Sequence, residues 1–248
     1  MKAIGVIPAR LGSTRLKAKV LADINGKPML QHVYERAKKS RELNDLIIAC
    51  DSEVIMEKAK GFGAKAVLTS VDHPSGSDRI AEAVQSMAVD VVVNIQGDEP
   101  LIDAVVIDAL VLAMKKDPAC PMATVIKAMD SEKELNDPHV VKVVIDQQHN
   151  ALYFSRAAIP LNRAQTGLKE AGYFKHLGIY AYRKEFLLKF VRLPKSHLEQ
   201  MEQLEQLRVL EAGYKIKTIL TDIQTISVDT EADLVRVREF LKKEIKQD

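Results

Sequence analysis

The chain has 248 residues, 47% of them hydrophobic and 28% charged, with 11 glycines and 9 prolines, which excludes disordered, fibrous and low-complexity classes. The 36 lysines and arginines against 34 aspartates and glutamates leave a net charge of +2, so no overall field draws the chain to nucleic acid or membrane. An anionic partner must be held by a local cluster. Cys50 and Cys120 lie too far apart to suggest a disulfide framework or a cysteine-based zinc site.

Ala3–Ile7 reads as a buried strand, and Pro8 and Arg10 end its apolar run too early for a signal peptide. No stretch approaches the ~18 apolar residues of a membrane span, so a soluble, cytoplasmic protein is expected. A helix over Pro28–Ser40 places Met29, Leu30, Val33 and Ala37 on one face. A strand at Asp45–Cys50, a helix at Glu53–Gly61 and a strand at Lys65–Leu68 follow. A helix from Ser77 to about Met87 leads to the strongest strand, Val89–Ile95, then to a helix over Asp103–Lys116 and a strand near Met122–Ile126. These strands are apolar throughout rather than alternating, as in a parallel sheet covered on both faces. The pattern predicts an α/β layered fold.

From about residue 139 the rhythm changes. Val140–Ile145 and Ala151–Phe154 read as a hairpin, Arg156–Gly172 as a loop and Ile179–Tyr182 as a strand. One helix is predicted over Leu198–Leu210 with Leu198, Met201, Leu204 and Leu207 inward. A strand at Lys215–Leu220 and a helix over Glu231–Lys246 with Leu234, Val237 and Leu241 buried close the chain. No linker divides the two parts, so a single domain over 1–248 is expected, its second part an elaboration of the first.

Chemistry concentrates where strands end. The first strand runs into a stretch, Pro8 to Lys19, with four basic residues and no acidic one, at the edge where open α/β sheets bind ligands. Gly12 permits close backbone approach, Ser13 and Thr14 offer hydroxyls, and Arg10, Arg15 and Lys19 supply charge for a polyphosphate. Neither the dinucleotide glycine fingerprint nor the P-loop motif is present. Val89–Ile95 feeds Gln96-Gly97-Asp98-Glu99-Pro100, whose carboxylates suit either a magnesium nucleotide or a polar, capped turn. After the strand-like Thr225–Val228, Asp229 or Thr230 caps the last helix, and Asp229 taken alone reads more readily as part of that cap than as a ligand. The turn-rich His73–Arg79 fits either a nucleobase contact or a helix start with Ser77 as N-cap. The histidines lack metal-like spacing, and no nucleophile elbow appears.

In this order the segments resemble the 3-deoxy-manno-octulosonate cytidylyltransferases (CMP-Kdo synthetases) of lipopolysaccharide synthesis over nearly the whole length. The likeness is carried by Ile7-Pro8-Ala9-Arg10-Leu11-Gly12-Ser13-Thr14-Arg15-Leu16, by Leu21 to Met29, by Asp72-His73-Pro74-Ser75-Gly76-Ser77-Asp78-Arg79 and by Asn94 to Leu101. Tyr153 to Arg156, Lys175 to Arg183, Leu204 to Arg208 and Val228-Asp229-Thr230 extend it.

The resemblance implies a three-layer α/β fold with a mostly parallel central sheet, of the nucleotide-diphospho-sugar transferase type, and a small β-rich elaboration over about 139–222. It implies that CTP and Kdo give CMP-Kdo and pyrophosphate, with activation of a related 2-keto sugar acid such as 8-amino-8-deoxy-Kdo as the alternative. Arg10, Ser13, Arg15 and Lys19 then form the triphosphate cradle, and Ser75 and Gly76 lie near cytosine. Lys19 and Asp98 are the catalytic pair, and Asp98 and Asp229 are the Mg²⁺ ligands in a two-metal arrangement. Gln96, Arg156, His176, Tyr180, Glu205 and Gln206 form the sugar-acid site, with Arg156 as carboxylate partner. The implied partners are CTP, a 2-keto sugar acid and a second copy of the chain in a homodimer, without nucleic acid or membrane. One departure stands out. The family shows Pro-Gly and then Lys-Pro where this chain has Lys17, Ala18, Lys19 and Val20, so the loop is expected to change its stiffness and permitted φ angles.

Overall fold

The computed structural model describes residues 1–12, 16, 18–223 and 225–244. Its first strand, β1 (Ala3–Ala9), shows why the apolar runs are continuous: Ala3, Ile7 and Ala9 enter one apolar cluster while Ile4 and Val6 enter another on the opposite face. With both faces covered, neither set of side chains meets water. A small hairpin, β2 (Asp23–Ile24) with β3 (Lys27–Pro28), precedes α1 (Met29–Ala37), β4 (Asp45–Cys50), α2 (Glu53–Gly61) and β5 (Lys65–Leu68). Then come α3 (Gly76–Val84), β6 (Val91–Asn94), α4 (Ala104–Lys116) and β7 (Met122–Ala128). The second part contains α5 (Glu132–Asn136), β8 (Lys142–Ile145), β9 (Ala151–Ser155), α6 (Leu168–Ala171) and β10 (Phe174–Arg183). It ends with α7 (Lys184–Phe190), α8 (His197–Glu202), α9 (Leu207–Glu211), β11 (Ile216–Leu220) and α10 (Glu231–Glu244).

The central sheet runs β11-β7-β10-β6-β1-β4-β5. Strand β1 is parallel to β4 and β6, β4 to β5 and β7 to β11, while β10 lies antiparallel between β6 and β7. Helices α1, α2 and α4 cover one face, and α3, α7 and α9 the other. The three-layer, mostly parallel expectation therefore holds, with the β8–β9 hairpin joined at the start of β10 as the β-rich addition. Cys50 and Cys120 are buried and free. Among the described residues no helix is long and apolar enough to cross a membrane.

The second part departs further from expectation. Ile179–Tyr182 is only the end of β10, which begins at Phe174 and bulges between Leu177 and Tyr180. Its first residues include Lys175 and His176, so they lack an apolar signature. The helices α5, α6 and α7 were not expected; each is seven residues or shorter, too brief to show a period. The single helix expected over Leu198–Leu210 is two helices. Gln203 takes a left-handed conformation at φ 52°, and α9 resumes from Leu207. Leu204 and Leu207 are buried, but Met201 is 70% exposed rather than inward. Arg208 of α9 reaches back to Glu199 of α8, Nε to Oε2 at 2.7 Å and Nη2 to Oε1 at 2.5 Å, which fixes the elbow. Thr225–Val228 forms no strand, Gln224 lying outside the described residues. Helix α3 begins at Gly76 with Ser75, not Ser77, as its N-cap.

Candidate active site

A cavity opens at the carboxyl ends of β1 and β6, the ligand-binding edge of an open parallel sheet. Pro8, Ala9 and exposed Arg10 approach it from β1, and Gln96, Gly97 and Asp98 from β6. These two chain ends nearly touch. A Cβ at Gly97 would stand 2.9 Å from the carbonyl oxygen of Pro8, so only glycine lets the strands deliver both loops to one place. The start of α3 supplies Ser75 and Gly76, and Lys19 with Val20 closes another side. Ser75 caps α3 by accepting from the Asp78 N–H at 3.3 Å and also donates to Asp78 Oδ2 at 2.7 Å. Ser13 and Arg15, expected in the cradle, lie outside the described residues, as do Thr14 and Lys17.

The two aspartates meet. Val228 donates its N–H to the carbonyl of Asp98 at 2.9 Å, and its side chain is fully buried with Ile24, Met29, Leu101, Leu234 and Val237. That apolar contact carries Asp229 to Asp98. Lys19 Nζ donates to Asp98 Oδ2 at 2.6 Å and to Asp229 Oδ1 at 2.9 Å. Burial alone would lower the lysine's pKa, but the carboxylates outweigh it and hold it above its ordinary value. Of the two candidate caps, Thr230 takes the role: its Oγ1 accepts from the Asp233 N–H at 3.3 Å and donates to Asp233 Oδ2 at 2.8 Å.

The expected sugar-acid residues divide between two places. Gln96 lines the cavity and donates to Asn94 Oδ1 at 3.2 Å. His176 and Tyr180 neighbour each other on β10 with ring centroids 5.3 Å apart, and Glu205 lies close enough to Tyr180 to raise its pKa, after burial as the main cause. The Thr124 hydroxyl donates to the carbonyl of Ile179 at 2.8 Å, so it accepts from His176 Nε2–H at 2.9 Å. Burial lowers the His176 pKa to about 3, and its imidazole is neutral with Nδ1 as an acceptor. Gln206 is buried, and its Nε2 has no hydrogen-bond partner among the described residues. Arg156 stands apart. Its guanidinium donates to the carbonyls of Glu202 at 2.8 Å, Pro138 at 3.0 Å and Gln203 at 3.4 Å, tying β9 to the end of α8.

Other residues in the site had weaker sequence signals. Arg79 lines the cavity although 3% exposed, and donates to Thr69 Oγ1 at 2.6 Å and to the carbonyl of Ser70 at 3.1 Å. Its Nη2 lies 3.6 Å from Asp51 Oδ2, and Asp51 Oδ1 accepts from the N–H of Leu11 at 3.0 Å, anchoring the basic loop. Glu99 is buried with Oε2 unpartnered among the described residues, and burial followed by the Asp98 charge pushes its pKa up to about 8. His73, also in the cavity wall, pairs with Glu82. Position 18 keeps the backbone glycine would supply: Ala18 is left-handed at φ 49° and ψ 40°.

The cytidylyltransferase family model matches residues 4–219. The chain is 48% identical over 246 residues to the 3-deoxy-manno-octulosonate cytidylyltransferase of Solibacter usitatus, covering 99% of this chain and 97% of that one. The chain belongs to the 3-deoxy-manno-octulosonate cytidylyltransferase family. The relative of that name from Chloroherpeton thalassium is also 48% identical, over 99% of this chain and 100% of its own. A solved CMP:2-keto-3-deoxy-manno-octonic acid synthetase complexed with CTP superposes with a TM-score of 0.93 at 44% identity, covering 98% of this cytidylyltransferase and 100% of that chain. The 4-diphosphocytidyl-2C-methyl-D-erythritol synthase of Anaerococcus prevotii, at 11% identity and a TM-score of 0.64, shares the fold alone.

Proposed function

We propose that the chain couples CTP to 3-deoxy-manno-octulosonate, forming CMP-Kdo and pyrophosphate, the activated sugar for lipopolysaccharide synthesis. The observation that carries this reading is the meeting of Asp98, Asp229 and Lys19 at the mouth of a cavity that also holds Arg10 and the N-terminus of α3. The anomeric 2-hydroxyl of the sugar acid attacks the α-phosphorus, the new O–P bond forms, and the bond from that phosphorus to the bridging oxygen breaks as pyrophosphate leaves. Such a displacement needs positioning and charge neutralisation rather than a protein nucleophile. Arg10 and Lys19 face the triphosphate as cations.

The donor set fits Mg²⁺: two carboxylate oxygens lie within 2.9 Å of one cationic atom, and phosphate and water complete such a shell. Asp98 and Asp229 would hold the ion, which when bound neutralises the triphosphate and lowers the pKa of the sugar hydroxyl. His176 Nδ1 accepts from a sugar hydroxyl, and Tyr180, Glu205 and Gln206 supply the remaining polar contacts. A guanidinium has five N–H groups, so Arg156, which stands apart with three donated to carbonyls, retains two for a carboxylate that extends from the cavity to the β9–α8 junction.

Pyrophosphate release from CTP and Mg²⁺ with Kdo, and separately with its 8-amino-8-deoxy analogue, tests the reading. Turnover with Kdo is expected at the higher kcat/KM. No release with Kdo under conditions where CTP binds would overturn it.

A further inference from the structure

Shifting the α3 cap to Ser75 releases the hydroxyl of Ser77. This side chain is 2% exposed, and its Oγ donates to Glu205 Oε2 at 2.7 Å, joining positions 128 residues apart. On the neighbouring strand, Asn94 Oδ1 accepts from Gln96 Nε2 at 3.2 Å. The Ser77–Glu205 bond thus connects α3 to the α8–α9 elbow. Ser75 and Gly76, beside Ser77, line the cavity, as does Gln96.

We infer that Ser77 is a positioning residue that aims the Glu205 carboxylate at the sugar acid and ties its placement to the helix against which the nucleotide binds. The inference rests on the reaction proposed above. Glu205 sits between a left-handed Gln203 and the first residue of α9, where no regular hydrogen-bonding ladder restricts its side chain. A hydroxyl-to-carboxylate hydrogen bond is charge-assisted, and its 2.7 Å length lies in the range of such contacts. Since Ser77 is on the first turn of α3, a shift of that turn on nucleotide binding moves the anchor of the carboxylate with it.

The test compares wild type, Ser77→Ala, Ser77→Thr, Glu205→Gln and the Ser77→Ala/Glu205→Gln double variant, with KM for CTP and for Kdo measured by pyrophosphate release. Losing a hydrogen bond to a charged group is expected to raise the Kdo KM of Ser77→Ala about tenfold, with the CTP KM changed by less than about twofold. Ser77→Thr, which keeps the hydroxyl, is expected to restore the Kdo KM. The double variant is expected to lose no more than Glu205→Gln alone, because Ser77 acts through that carboxylate. Losses that multiply in the double variant, or equal rises in both KM values, overturn the assignment. Ser77→Cys keeps the volume while weakening the hydrogen bond, and serves the same comparison if the alanine variant does not fold. A wild type inactive with CTP and Kdo overturns the reaction itself, whereas an active wild type with an unchanged Ser77→Ala overturns only the positioning role.

Discussion

Lys19, Asp98 and Asp229 meet at the open edge of the sheet, whereas Glu99 and Gln206 are buried and His176 and Tyr180 half-buried behind it, and the two groups carry their polarity by different means. At the edge the groups are charged and paired. The side chains of Lys19, Asp98 and Asp229 are 15%, 26% and 44% exposed, and one ammonium holds two carboxylates together. Water remains near enough that an arriving polyphosphate or cation can exchange with existing partners without stranding a bare charge. Inside, desolvation removes charge instead. His176 is neutral, Glu99 is pushed towards its protonated form, and polar atoms on Glu99 and Gln206 have no hydrogen-bond partner among the described residues. The edge keeps paired charges, and the interior keeps neutral polar groups.

The sharpest way to break this contrast is at the edge. Asp98→Asn is expected to lower kcat by about 10³-fold while leaving the thermal midpoint nearly unchanged, because it removes charge from a partly solvated carboxylate. Pyrophosphate release and thermal melting measure both; normal turnover would mean that the edge charge is not used. The interior answers differently to a lost charge. Arg208→Met leaves Glu199 without its partner at the α8–α9 elbow and is expected to cost about 3 kcal/mol in denaturant unfolding. The displaced elbow also carries Glu205 and Gln206, so the Kdo KM is expected to rise more than that of CTP.

A pH series sharpens the interior side. The folded-state pKa of His176, about 3, lies below the ordinary 6.5, so the unfolded chain takes up that proton first. The stability associated with the neutral imidazole is therefore complete above pH 6.5 and declines as pH falls towards 3. His176→Asn is expected to show a shallower loss over that window by urea midpoints, and an unchanged slope would remove His176 from the explanation. The smallest effect belongs to the loop beside Lys19. Relieving the left-handed Ala18 with Ala18→Gly is expected to raise stability by up to about 1 kcal/mol, the glycine's extra freedom in the unfolded chain offsetting part of the gain.

The edge was more legible in the sequence than the interior. Arg10 and Asp98 follow directly from buried strands, and the strand-end position is itself the signal. Asp229 could not be separated from a helix cap, because the deciding facts, Val228 bonded to Asp98 and Thr230 bonded to Asp233, join distant or competing partners. Glu205 and Gln206 would have occupied a solvated helix face had Leu198–Leu210 been continuous. One left-handed residue, Gln203, instead leaves Gln206 buried. Helical periodicity does not reveal such a break, since Gln203 carries no conformational mark of the kind glycine does.

Taken alone, the order of residues determined the layered α/β architecture and the basic and acidic loops near the ends of β1 and β6, although β1 runs on to Ala9, two residues past its expected end. Apolar runs and turn residues act locally, so those features are written into short stretches of chain. Tertiary structure alone decided which carboxylates share a cation, that the elbow bends, that Ser77 serves Glu205 rather than capping α3, and which side chains lose their charge. Each of those outcomes depends on desolvation and on contacts between segments far apart in the chain, and neither is present until the layers have packed.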